Sequence, residues 1–228
     1  MEEVAELKAW ARPPSMAVDR SLPVAAALGG LLPDGLRKGT TVAVVGPAGT
    51  GLGITSLALA LLAGPSEAGS WCAVVGMPEL GPLAAAELGV DLSRLALVHH
   101  PRDQWGSTMA ALVDAFGIVL ARVVGHLRAA EARQLVARTR RTGCVLVVTG
   151  EPWPVVCELS LSVSSIHWNG LGRGHGHLEG RMVEVVAEGR RGASRPRRAR
   201  LWLPAPQGGI AVFEERAKVA ELKPADGR

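Results

Sequence analysis

The chain of 228 residues is long enough for one α/β domain with a full core and short extensions, and too short for two such domains. It is 48% hydrophobic but only 4% aromatic, with 28 glycines and no tyrosine, which excludes a disordered chain and suits strands and helices meeting through small side chains. The net charge of +4 is uneven: residues 170–200 hold eight arginines against three glutamates, a local +5 that reads either as a surface for an anionic partner or as a plain solvated run.

In chain order, residues 2–11 space Val4, Leu7 and Trp10 as the apolar side of a short amphipathic helix, ended by Pro13 and Pro14. Residues 15–23 read as a linker and 24–32 as a second helix, closed by Pro33, Asp34 and Gly35. A strand over 41–45, a glycine-rich loop and a helix over about 56–63 come next. Strands over 71–76, 95–100, 117–123 and 144–150 then alternate with helices over about 80–89, 106–115 and 126–140. This alternation specifies a mostly parallel twisted sheet with helices on both faces and a binding crevice at the carboxyl ends of its strands.

From residue 158 the period changes to two. Residues 159–168 read as a half-buried strand, and 182–189 and 198–204 pair as an antiparallel hairpin at the far end of the sheet. The chain thus divides into an N-terminal helix and linker (1–21), a core (22–213) and a tail (214–228) with few apolar anchors. No apolar run reaches the roughly 18 residues that cross a bilayer. The start MEEVAELKAW is acidic where a secretory leader is basic, so a cytoplasmic protein with no membrane partner is expected.

The stretch Gly46 to Leu57, GPAGTGLGITSL, has the strand, glycine loop, helix order of a phosphate-binding loop. Such a loop needs a lysine for the β/γ-phosphates and a hydroxyl for magnesium, because glycine amides alone do not neutralise a triphosphate. Counting from Gly46, Gly51 falls in place, but Leu52 stands for the lysine and Gly53 for the hydroxyl. Two extra loop residues restore a hydroxyl, Thr55, and leave Ile54 in the lysine position. Gly46, Gly49, Gly51, Gly53 and Thr55 are therefore the residues of a degenerate loop, ATP is not expected as a cofactor, and the loop reads mainly as an inherited strand-to-helix turn.

The segments LPVAAALGGLLPDGLRKGTTVAVVGPAGTG and AGSWCAVVGMPELGPLAAAELGVDLSRLAL resemble the entry to a RecA-type ATPase core and its second strand and helix. MVEVVAEGRRGASRPRRARLWLP resembles that core's last strands, so the likeness runs over about residues 22–213. Within the superfamily, SLALALLAGPSEAGSWCAVVG, LAAAELGVDLSRLALV and RPRRARLWLP resemble the short actinobacterial RecA-like proteins called ImuA or ImuA-prime. That resemblance implies a RecA-like P-loop core in an accessory protein of damage-induced translesion synthesis. Its implied partners are an ImuB-like inactive Y-family polymerase relative and, in the same complex, an error-prone DnaE-type polymerase.

The departures from the family pattern decide the chemistry. With LGVD (88–91) aligned without gaps, the RecA-type catalytic glutamate falls on Met77, with Glu79 two residues on. The strand over 117–123 passes Ala121 and Arg122 to Val124 without the magnesium-binding acid. Phosphoryl transfer depends on positioning and charge neutralisation, and each missing part removes orders of magnitude of rate. A non-catalytic scaffold is the expectation. Its rivals are a DNA-dependent RecA-type ATPase with an unusual site and a self-associating regulator resembling the division inhibitor SulA.

Further candidates come from residue type and place. Arg173, Arg190, Arg191, Arg195, Arg197 and Arg198 are the anion-binding or DNA-binding candidates, suited to phosphate contact rather than base readout since no groove-reading helix is evident. Trp71 and Trp202 lie in expected strands and read as core, whereas Trp105, Trp153 and Trp168 flank strand-end loops and either contact a partner or cap the core. Val4, Leu7 and Trp10 offer a grip for self-association. Cys72, Cys144 and Cys157 lack metal-ligand spacing, two of them within apolar runs, and no metal site is expected of them, of the His175–His177 pair or of His99 and His100, which face opposite ways along a strand.

Overall fold

In a computed structural model the structure describes residues 20–46, 53–101, 104–171, 176–189 and 195–214. The expected helix over 2–11 and the tail from 215 lie outside them. A two-residue strand β1 (Ser21–Leu22) pairs antiparallel with β2 (Leu36–Arg37). Then follow β3 (Thr41–Val45), α1 (Ile54–Glu67), β4 (Cys72–Val75), α2 (Pro82–Glu87), β5 (Leu95–Val98), α3 (Trp105–Ala115), β6 (Ile118–Val123), α4 (Ala129–Thr142) and β7 (Val145–Gly150). β8 (Leu159–Leu171), β9 (Gly176–Gly189), β10 (Arg197–Trp202) and β11 (Ala211–Val212) complete the order.

Strands β3 to β11 form a nine-stranded sheet in the order β11-β10-β9-β8-β3-β7-β6-β4-β5. From β8 to β5 all neighbours are parallel, and from β8 to β11 all are antiparallel. The protein is thus an α/β fold with a large, mostly parallel sheet and an antiparallel hairpin at one end. One face packs on α1 and α2 and the other on α3 and α4, each with its own apolar cluster. Strands β8 and β9 outrun the expected 159–168 and 182–189, so they continue as a two-stranded ribbon past the carboxyl end of β3.

Helix α1 is the centre of the first cluster. Every residue from Leu57 to Ser66 is buried, because the run has no polar face to give to water. One side packs on the sheet and the other is closed by the chain before β3. The expected helix over 24–32 does not form: only Ala26–Leu28 makes a 3-10 turn. Leu28, Leu31, Leu32 and Leu36 all join the α1 cluster, brought there by successive short turns through Gly29 and Gly30, two residues that disfavour a continuous helix.

Two indoles also differ from expectation. Trp71 precedes β4 rather than lying in it and is 52% exposed, edge-on to Phe116, while Trp202 is half-buried against Phe213. Both lie at the ends of strands, where a large ring covers the sheet's margin instead of filling its middle.

Gly64 is where α1 meets the segment before β3: a Cβ there would lie 2.8 Å from backbone atoms of Pro23 and Val24. Gly64→Ala should therefore lower the thermal midpoint, although alanine is favoured over glycine inside a helix by about 1 kcal/mol. A raised midpoint would show that the segment is not seated on α1.

Candidate functional site

The glycine-loop end of the sheet is assembled from four places in the sequence. Strand β3 delivers Gly46, and α1 begins after Gly53, whose φ of 79° is left-handed and leaves the first turn, with Thr55 and Ser56, beside the β8–β9 ribbon. Gly49 and Gly51 lie outside the described residues. After β4 the chain turns at Gly76, burying Met77 in the α1 cluster and exposing Glu79. Strand β6 brings Arg122 to the same end.

Arg122 and Glu79 form an ion pair through Nη1 and Oε1. The backbone N–H of Glu79 and then the Arg122 guanidinium hold the Glu79 carboxyl below its ordinary value, against the burial that raises it. The Glu79 carboxylate is therefore already paired with a cation. Met77 is 2% exposed and points into the core.

The sequence reading missed the central side chain of this end. Arg181 is 7% exposed and continues the inward row Arg181, Val183, Val185 and Ala187 of β9. Its Nε donates to the Leu203 carbonyl at 2.6 Å and its Nη2 to Ser56 Oγ at 2.8 Å, and its Cζ lies 5.1 Å from the Trp168 ring centroid. A Cβ on Gly53 would lie 3.3 Å from that Cζ. Among the described residues no carboxylate pairs with it; Glu179, two residues earlier, accepts from Asn169 Nδ2 at 3.3 Å. Burial lowers the Arg181 pKa. The signal was present in the alternation of RMVEVVAEG, which puts Arg181 on the side of Val183 and Val185 rather than with Glu184.

Of the basic candidates, the structure describes Arg195, Arg197 and Arg198. Arg173 lies outside the described residues, between β8 and β9, while Arg195, Arg197 and Arg198 sit at the start of β10, at the other end of β9. At about 3.3 Å per residue, β9 separates the two ends by roughly 40 Å. Arg198 pairs with Glu184 at 3.6 Å, and Arg190 and Arg191 also lie outside the described residues. Arg197 lines a cleft of about 680 Å³ at the amino ends of β3 and β8, together with Arg37, Lys38, Arg140 and Glu158.

The loop-flanking tryptophans separate as well. Trp105 and Trp153 pack on the α3–α4 cluster, with buried indole nitrogens that have no hydrogen-bond partner among the described residues, so they cap the core. Trp168 is 44% exposed. Burial pushes the Cys72 and Cys144 thiols up to about 12 and Cys157 up to about 11, values of unreactive thiols. His99 and His100 are exposed with ring centroids 6.4 Å apart, and no cluster of three metal-ligating side chains occurs among the described residues.

Residues 30–155 match the MT3502 N-terminal domain family. The chain belongs to that family. The match takes in the glycine loop, α1, Met77, Glu79 and Arg122 and ends before β8, so Arg181 and the basic hairpin stand outside it. The uncharacterized protein Rv3395c of Mycobacterium tuberculosis (strain ATCC 25618 / H37Rv) is 34% identical over 156 residues, covering 64% of this chain and 74% of that relative. Among the described residues no helix is long and apolar enough to cross a membrane.

The cleft supplies a pH test. Glu158 accepts from the Thr41 N–H at 3.0 Å and from Arg140 Nη2 at 2.7 Å, tying β8 to β3 and α4. Burial raises its pKa, but these hydrogen bonds outweigh it and hold the value below 4.5. A depressed carboxylate stabilises the fold above its unfolded pKa, and that contribution is lost as pH falls through the folded value. Glu158→Gln should be less stable than the parent by about 1 kcal/mol at pH 7. In urea melts the gap should close below pH 4.5; a gap constant down to pH 3 would show that the charge contributes nothing.

Proposed function

We propose that this protein is a non-hydrolysing, RecA-like accessory factor of the ImuA kind, which acts by holding partners in damage-induced translesion synthesis. Three features support the reading of a RecA-like P-loop core: a glycine loop between a central parallel strand and a buried helix, a mostly parallel sheet, and an antiparallel hairpin at its far end. The family match to a domain shared with a mycobacterial protein is compatible with an actinobacterial factor of this type. The partner in this reading is an ImuB-like inactive polymerase relative, with a DnaE-type polymerase in the same complex. Work in the cytoplasm and contact with DNA through the basic hairpin belong to the same proposal.

The observation that carries the non-hydrolysing half is the Arg122–Glu79 pair. Transfer of a γ-phosphoryl group needs a free carboxylate to orient water and an acid to hold magnesium. Here the Glu79 carboxylate is neutralised, a cation stands where the metal's acid belongs, and a thioether is sealed in the core beside them. Restoring the loop alone does not repair this. It also adds strain, because Gly53 holds a left-handed φ that threonine rarely adopts.

The purified protein should show no ATP hydrolysis above background, with or without single-stranded DNA, and Leu52→Lys with Gly53→Thr should not create any. It should co-purify with an ImuB-like partner expressed beside it. Hydrolysis by the parent chain would favour the ATPase reading, and failure to retain the ImuB-like protein would remove the partner assignment.

A further inference from the structure

We propose that the cleft at the amino ends of β3 and β8 is the seat of the chain's own acidic segment, residues 2–11, which lays Val4, Leu7 and Trp10 on the apolar floor and its glutamates against the arginines of the rim.

The cleft lies at the opposite end of the sheet from the glycine loop and has a volume of about 680 Å³. A space of that size buries most of a drug-sized molecule, and so has room for one indole and two aliphatic side chains. Its floor is apolar: Leu32, Leu36 and Val42 belong to the α1 cluster, Leu159 packs against them, and Val156 stands 63% exposed at the margin. Cations reach the rim from three places in the fold, Arg37 and Lys38 at the end of β2, Arg140 on α4 and Arg197 on β10. Arg140 is taken by Glu158 at 2.7 Å, whereas Arg37 and Arg197 form no ion pair among the described residues. An apolar floor beneath unpaired guanidinium groups calls for a cover that is apolar on one side and acidic beside it.

Residues 2–11, EEVAELKAWA, supply that pattern. In the expected helix Glu3 stands one turn before Leu7 and Glu6 one turn before Trp10, so both carboxylates flank the apolar side. Three glutamates against one lysine make the segment acidic, opposite in sign to the rim. The start of the described chain decides for this occupant over a free acidic peptide. The Arg20 carbonyl accepts from the Lys38 N–H at 2.8 Å, and Lys38, Gly39 and Thr40 all line the cleft. The tether of residues 12–19 between Arg20 and the segment spans at most about 30 Å. So short a tether holds the segment beside the cleft at an effective concentration on the order of millimolar, above that of any untethered competitor in dilute solution.

The test is amide hydrogen exchange of the full chain read by mass spectrometry over residues 31–40, at two protein concentrations and with sedimentation at both. In Leu7→Asp with Trp10→Ser, which leaves the described core untouched, these residues should exchange about tenfold faster than in the parent, the effect of losing the burial of one apolar side chain. Arg37→Glu with Arg197→Glu should loosen the same stretch. Adding Glu3→Lys with Glu6→Lys should then restore its protection, which a merely structural role of the two arginines would not allow. Should the rim variant fail to melt cooperatively, the Leu7 and Trp10 variant decides alone. Exchange unchanged in that variant, or no restoration by the paired charge reversal, overturns the proposal. Protection that is lost on dilution as the mass falls by half would give the seat to the segment of a second copy and overturn the intramolecular assignment.

Discussion

Helix α1 has no side that faces water from Leu57 to Ser66, and most of the architecture follows from closing that helix in. An amphipathic helix needs one cover, but an apolar one needs several. The sheet supplies one, through Val42, Val44, Val147 and Leu161. The turns between residues 26 and 36 supply the opposite one, with four leucines laid on the helix. The ribbon and β10 supply the third, through Val183, Val185 and Leu201. Because α1 starts where β3 ends, the same enclosure fixes the glycine-loop end of the molecule.

At that end the protein holds itself together with its own charges. Arg181 ties the ribbon, the β10 end and the first turn of α1 into one unit, and Arg122 ties the β6 end to the turn after β4. In an ATPase, comparable groups are left free to meet phosphate, metal and water. The two arginines therefore differ in partner: Arg122 meets a carboxylate, while Arg181 meets neutral oxygens.

Elements whose hydrophobic period is strong were legible in the sequence. The alternation from β3 to β7 and the switch to period two after residue 158 follow from apolar spacing alone, and the ends of β3 to β7 agree within a few residues. What was not legible depends on tertiary contact. Residues 24–32 have helical composition, yet the surface of α1 selects a series of turns there. Trp71 sits one residue before the strand it was assigned to, which is the difference between core and margin. Arg181 was hidden among eight arginines, since composition counts charges and only strand register says which one faces inward.

The central claim is that the glycine-loop end is a self-contained structure that does not need nucleotide to form. Amide hydrogen exchange of the ligand-free chain, read over α1 from Leu57 to Ala63, measures this directly. The account predicts that these amides exchange as slowly as those of the central strands β6 and β7 with no nucleotide present. Rapid exchange there, slowed only on adding nucleotide, would contradict it.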